Sequence, residues 1–156
     1  MKTYVLLVRA MSGAILGAFT WFATNWVGKS ISDVRDKRIK ALQAAEQNAH
    51  VDGHASDDRV TEARAALNEA ASGLRSISRG HGWPVRVYCW FVGYDPEAAA
   101  SCLITLHNTT GNYRYGDEAR QLFVDAIYMF LRADKHLSPE RIDEIKRRMI
   151  LGKASI

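Results

Sequence analysis

The chain has 156 residues, 47% hydrophobic and 24% charged, which excludes a disordered or collagenous polymer and fits one ordinary domain, or a smaller domain with an appendage. Its formal net charge of +4 suits acidic lipid headgroups. No stripe of Lys and Arg interleaved with aromatic residues accompanies that charge, so no nucleic-acid partner is expected. Cys89 and Cys102 are the only cysteines, too few for a disulfide framework or paired metal knuckles.

No charged residue occurs from Ala10 to Gly28. A helix needs about 20 largely apolar residues to cross the hydrocarbon core, so this stretch predicts a membrane-spanning anchor within 1–29. Trp21 and Trp26 stand near its end, where amphipathic rings favour the lipid boundary. Gly13 and Gly17 have Gly-x-x-x-Gly spacing, with Ala10, Ala14 and Ala18 on an adjoining stripe. Small residues so spaced let helix backbones approach closely within lipid. Three other readings compete: a signal peptide, which lacks a clear small-residue cleavage site here; a buried helix of a soluble fold, favoured by Ser12, Thr20, Thr24 and Asn25; and an interfacial helix. Lys2 and Arg9 precede the stretch, whereas Lys29, Arg35, Lys37, Arg38 and Lys40 follow it. That bias places a single-pass protein's body on the cytoplasmic side.

Residues 30–79 predict an antiparallel, coiled-coil-like hairpin. A polar helix from about Ser30 to Ala49 leads to the turn 50–58, whose Asp52-Gly53 pair marks a reversal. In the second helix, from about Asp58 to Ser78, Val60, Ala63, Leu67, Ala70, Leu74 and Ile77 recur three and four apart, as a seam requires. Alanine at so many seam positions implies cover by a third helix or another subunit. His50 and His54 flank Gly53, which argues for a solvated tip rather than a metal site.

Residues 80–156 predict a small helical domain. Gly82-Trp83-Pro84 breaks the preceding helix. Val85 to Val92 is β-branched and aromatic, yet has no second strand to pair with, so helix or extended packing is favoured. Its aromatic residues, with Trp83 and Tyr94, form either the core or a surface facing a partner or membrane; core is the preferred assignment. Asp95-Pro96-Glu97 starts a helix to about His107, with Asp95 as its cap. Asp117 caps a helix to about Lys135, and Ser138-Pro139-Glu140 starts the last one, which Gly152 ends. The run Phe130 to Glu140 resembles the inter-helix loop of tellurite-resistance TerB-like domains, which are all-helical. Lys135 stands where those loops usually have glycine, and no second copy of the loop occurs, so no membership is assigned.

Chemistry is sparse. Cys89, Cys102, His107 and His136 match no zinc spacing; Asp95 with Glu97 and Glu118 with Asp125 have duller work as caps and helix faces; no phosphate loop or nucleophile elbow occurs. The expectation is an all-α, membrane-anchored accessory or structural subunit of a larger assembly. It acts through helix–helix contacts with membrane lipid, other subunits or itself, and has no enzymatic activity, cofactor or metal. A phage or mobile-element membrane effector and a soluble helical binding module are the alternatives.

Overall fold

The computed structural model describes residues 15–80, 82–112 and 115–154. Six α-helices are complete among them, with no strand: α1 (Lys29–Asn48), α2 (Asp57–Gly80), α3 (Trp83–Val92), α4 (Pro96–Thr109), α5 (Asp117–Phe130) and α6 (Pro139–Ala154). Residues 15–22 are also helical and run into α1 through a π-helical segment, Ala23–Gly28. The all-helical reading holds, and the segment 85–92 is helix.

Helices α1, α2, α4 and α5 form a ring of neighbours, α1 on α2, α2 on α4, α4 on α5 and α5 on α1. Hydrogen bonds fix their directions. Lys37 Nζ donates to Ser76 Oγ and Arg59 Nη2 to the Gln47 carbonyl, so α1 and α2 are antiparallel. Ser78 Oγ donates to Glu97 and Arg64 Nη2 to the Thr110 carbonyl, so α4 runs against α2. The Asp95 amide donates to the Phe130 carbonyl, which pairs the start of α4 with the end of α5. The result is an up-down-up-down bundle, the arrangement short connections favour. Helix α3 connects α2 to α4 in the chain and packs against α1 at one end of the bundle, and α6 flanks α5.

One cluster of buried apolar side chains joins these helices. Seam residues Leu67, Ala70, Leu74 and Ile77 belong to it from α2, with Ala71 beside them, and Ala63 is also buried; α2 packs on α1 and on α4. Val60, the first expected seam residue, is only half-buried. The cover implied by an alanine-rich seam is supplied from within the chain, since Ala99, Ala100, Leu103 and Leu106 of α4 are buried in the same cluster. Small side chains at these positions let the helices approach closely.

Local signals explain the helix ends. Asp95 Oδ1 accepts a hydrogen bond from the Ala98 amide, with Pro96 and Glu97 in the first turn, and α4 runs to Thr109, two residues beyond the expected end. Gly116, not Asp117, occupies the cap position of α5. That helix stops at Phe130 rather than continuing to Lys135, because Arg132 adopts φ 52° and the Ala133 amide closes on the Tyr128 carbonyl. Such a left-handed residue ends a helix by satisfying its last carbonyls. The Arg132 side chain is tied down by donation from Nε to the Gly93 carbonyl. The last helix passes through Gly152 to Ala154.

Gly111 adopts φ 73° after α4, and a Cβ there would lie 2.6 Å from Val60 Cγ1. Gly111→Ala therefore combines a left-handed backbone, unfavourable by about 1–2 kcal/mol, with a clash against the start of α2. We expect a loss of about 2 kcal/mol, lowering Tm by about 4–8 °C for a chain of this size. Gly116→Ala is the control. Its position has φ −68° and open space around it, so its thermal melt should match the native one.

Candidate functional site

The bundle is asymmetric from end to end. At one end α1 begins, α2 and α5 terminate, α4 begins and α3 lies across. Among the described residues, every strongly exposed large apolar one except Ile39 and Tyr115 belongs to this end or to the helix leading into it.

Helix α3 explains part of that surface. Its sequence, Trp-Pro-Val-Arg-Val-Tyr-Cys-Trp-Phe-Val, is apolar almost all round. At 3.6 residues per turn, Val85 and Cys89 face the bundle and are buried, while Trp83, Val87 and Trp90 share the opposite face. Trp90 is 81% and Phe91 83% exposed, against 1% for Val85. The assignment of this aromatic segment to the core is thus corrected. One face of α3 is core and the other is bare, because a single short helix capping a bundle has only one face to bury. Gly93, at φ 74°, ends α3, and the Tyr94 amide closes on the Cys89 carbonyl.

The second part of the surface is the helix entering α1. Ile15, Leu16, Phe19, Trp21, Phe22 and Trp26 are all exposed. Phe22 and Trp26 stack with ring centroids 4.9 Å apart. The Trp26 ring also reaches Gly82, lying 3.9 Å from where a Cβ would sit. That proximity brings the apolar side of the entering helix beside the N-cap of α3. Three polar side chains along this helix and into α1 bond its own carbonyls. Thr20 Oγ1 donates to the Leu16 carbonyl, Asn25 Nδ2 to Trp21 and Ser30 Oγ to Trp26, each four residues back.

Of the residues expected to associate within lipid, Ala10, Gly13 and Ala14 lie outside the described residues. Gly17 faces open space, with nothing within 4 Å of a Cβ built there, and Ala18 is exposed. Trp21 and Trp26 are exposed in the helix that leads into α1. The spanning helix itself is not supported: among the described residues no helix is long and apolar enough to cross a membrane. The described apolar stretch, 15–28, covers about 21 Å at 1.5 Å per residue, short of the roughly 30 Å hydrocarbon core.

Cations surround this end. Arg35 bonds the Tyr88 hydroxyl, which holds its guanidinium above the usual range. Arg38 lies 5.3 Å from the Tyr94 ring centre and donates to the carbonyls of Leu131 and Arg132. Lys29, Arg79, Arg86 and Arg132 are exposed nearby in the fold. Of the acidic groups there, Asp33 pairs with Lys37, Glu97 with Arg75 and Arg79, and Asp95 caps α4; Asp36 is exposed. The opposite end carries Asp52, Asp57, Asp58, Asp117 and Glu118, with Arg59, Arg64, Arg148 and the buried Arg120 among them.

Burial pushes the Cys102 thiol up to about 12 and also raises Cys89, so neither is primed as a nucleophile. Among the described residues no group of three His, Cys, Asp or Glu side chains is placed to hold a metal. Arg120 Nε and Nη1 lack hydrogen-bond partners but are closed off from solvent, so they are not offered to a ligand. One hollow, about 490 Å³, is an open groove between α1 and α2 lined by Ala44, Ala70, Gly73, Lys37, Lys40 and Glu69. Comparison with known proteins finds no matching family, no similar curated protein and no similar solved structure.

Proposed function

We propose that the chain is a small accessory subunit attached to a membrane by its N-terminal helix, with the bundle offered to other subunits. The observation that carries this reading is the row of exposed apolar side chains from Ile15 to Trp26, which no part of the bundle covers. Contiguous apolar surface of this kind marks an interaction site in a folded protein, and transfer out of water favours its burial by roughly 25 cal/mol per Å². Thr20, Asn25 and Ser30 oppose insertion less than their composition suggests, because each bonds a carbonyl of its own helix. The anchor in this reading is Ala10 to Gly28, and the basic residues following it favour a crossing with the bundle on the cytoplasmic face.

Sedimentation tests the attachment. The native chain is expected to stay in the membrane pellet through alkaline carbonate washing, while Phe19→Glu with Trp21→Glu moves most of it to the supernatant with its helical circular dichroism intact. Release of the native chain by carbonate overturns the anchor. Mild-detergent extraction followed by mass measurement then tests the subunit role: a complex of fixed stoichiometry, larger than one chain in its micelle, is expected.

A further inference from the structure

Helix α3 has a bare aromatic face and no described element to cover it. We propose that α3 is a second membrane contact, lying in the plane of an anionic lipid interface with Trp83, Val87, Trp90 and Phe91 at the acyl boundary. This inference rests on the anchor reading and extends it, because it assigns the bundle a fixed orientation and a lipid preference.

Four observations name lipid as the occupant. The Trp26 ring of the entering helix lies beside Gly82, the N-cap residue of α3, so the apolar surface of the anchor adjoins that of α3. A bilayer that takes the first surface is adjacent to the second. The exposed residues of α3 are mainly tryptophan and phenylalanine, bulky rings suited to the headgroup boundary. Its only charged residue is Arg86, one position before Val87 at the edge of the aromatic face. An interfacial helix places its cations in this way, with the stem along apolar surface and the charge among headgroups. Finally, charge is polarised along the bundle. Lys29, Arg35, Arg79, Arg86 and Arg132 are exposed at the α3 end, whereas Asp52, Asp57, Asp58, Asp117 and Glu118 crowd the other. Arg59, Arg64, Arg120 and Arg148 offset part of that acidic charge, so an anionic surface attracts the first end more strongly than the second.

The geometry also explains why α3 contains Pro84 and ends at Gly93. Proline in the first turn and a left-handed glycine at the end define a short rigid helix across the bundle, with its buried face pinned by Val85 and Cys89. The Tyr88 and Tyr94 rings meet edge to face at 6.1 Å, and Arg35 and Arg38 hold them from α1. The connection between α1 and α3 therefore fixes the angle between anchor and interfacial helix.

The test uses the full chain carrying Trp21→Phe and Trp26→Phe, which leaves Trp83 and Trp90 as the tryptophans. It is reconstituted with vesicles of phosphatidylcholine alone or mixed with phosphatidylglycerol, each with and without brominated acyl chains. In the anionic vesicles, bromolipid is expected to quench Trp83 and Trp90 fluorescence at least twofold and aqueous iodide to quench it little. Zwitterionic vesicles are expected to give weaker bromolipid quenching, and Arg86→Glu is expected to lower it in the anionic ones. Trp90→Glu with Phe91→Glu, both exposed and so compatible with the fold, should remove the quenching of Trp83 while the chain still sediments with vesicles. Three results overturn the proposal: full iodide access with the chain membrane-bound, equal quenching in both lipids, or protection from both quenchers on adding a purified protein partner. In each of these the anchor reading survives; failure of the chain to sediment at all removes the anchor instead.

Discussion

Leu67→Asp is expected to abolish the cooperative fold. Leu67 is fully buried at the middle of α2, between α1 on one side and α4 on the other. Truncating such a leucine to alanine costs about 2–5 kcal/mol through lost transfer energy and the cavity left behind. Aspartate adds an unpaired carboxylate with no cation buried in that layer to meet it, a further cost of several kcal/mol unless it protonates or the layer opens. A domain of this size has a total stability of about 5–15 kcal/mol, so the sum uses up most of it. Circular dichroism of the bundle should show loss of the thermal transition, and size exclusion an expanded or aggregated chain. Leu67→Met, which conserves volume, should cost less than about 1.5 kcal/mol. If Leu67→Asp melts like the native chain, the α1–α2–α4 packing is wrong.

The residues of that layer were readable in the sequence, and their partner was not. Val60, Ala63, Leu67, Ala70, Leu74 and Ile77 recur at helical spacing, which predicts a buried stripe on α2 from the chain alone. Periodicity names a face but not what it faces. The sequence reading paired α2 with the preceding helix, as their short turn requires, and α4 supplies the rest because Ala99, Leu103 and Leu106 form a matching stripe from further along the chain. The capping of α4 was legible for a local reason: Asp95, Pro96 and Glu97 act within one turn of each other. The end of α5 was not. Arg132 takes a left-handed conformation that nothing in its residue type announces, and its side chain is held by a carbonyl at Gly93, distant in sequence.

The candidate site divides in the same way. Trp21 and Trp26 could be singled out because they close a long uncharged run. Trp83, Trp90 and Phe91 were assigned to the core, since an aromatic cluster in a short segment is usually buried. The missed signal was that α3 is apolar on every side. A helix of that kind needs either a core around it or a second apolar medium, and a bundle end supplies only half of the first. The polarised charge was hidden too, because a net charge of +4 is a sum over both ends.

Asp125→Ala is expected to release α6 from the bundle while leaving the four-helix ring folded. Helix α6 is held mainly on α5, with Ile145 as its buried anchor and Met149 partly buried. The shorter polar tie between the two helices is Asp125 on α5, beside a longer, exposed pair from Arg148 to Glu118 at 3.8 Å. Its Oδ2 accepts from Arg141 Nε at 2.8 Å, and its Oδ1 from Gln121 Nε2 at 2.9 Å. Asp125 is buried and the Arg141 side chain is only 24% exposed, so removing the carboxylate leaves a cation largely out of water. Breaking a buried pair costs about 3–5 kcal/mol; partial exposure of Arg141 and its remaining bond to Glu144 reduce this to about 2–3 kcal/mol. Few apolar contacts hold α6, so the loss should appear as local opening. Amide exchange across 139–149 should accelerate at least tenfold while α2 and α4 keep their protection. Acid should act in the same direction. Glu144 is held below the usual carboxylate range first by its bond from Arg141, so its contribution is present above the ordinary glutamate range and is lost as pH falls through its lowered value. Equal loss of protection in α2 would mean that α6 is part of the central cooperative unit, and unchanged exchange in α6 would mean that Ile145 and its neighbours hold the helix alone.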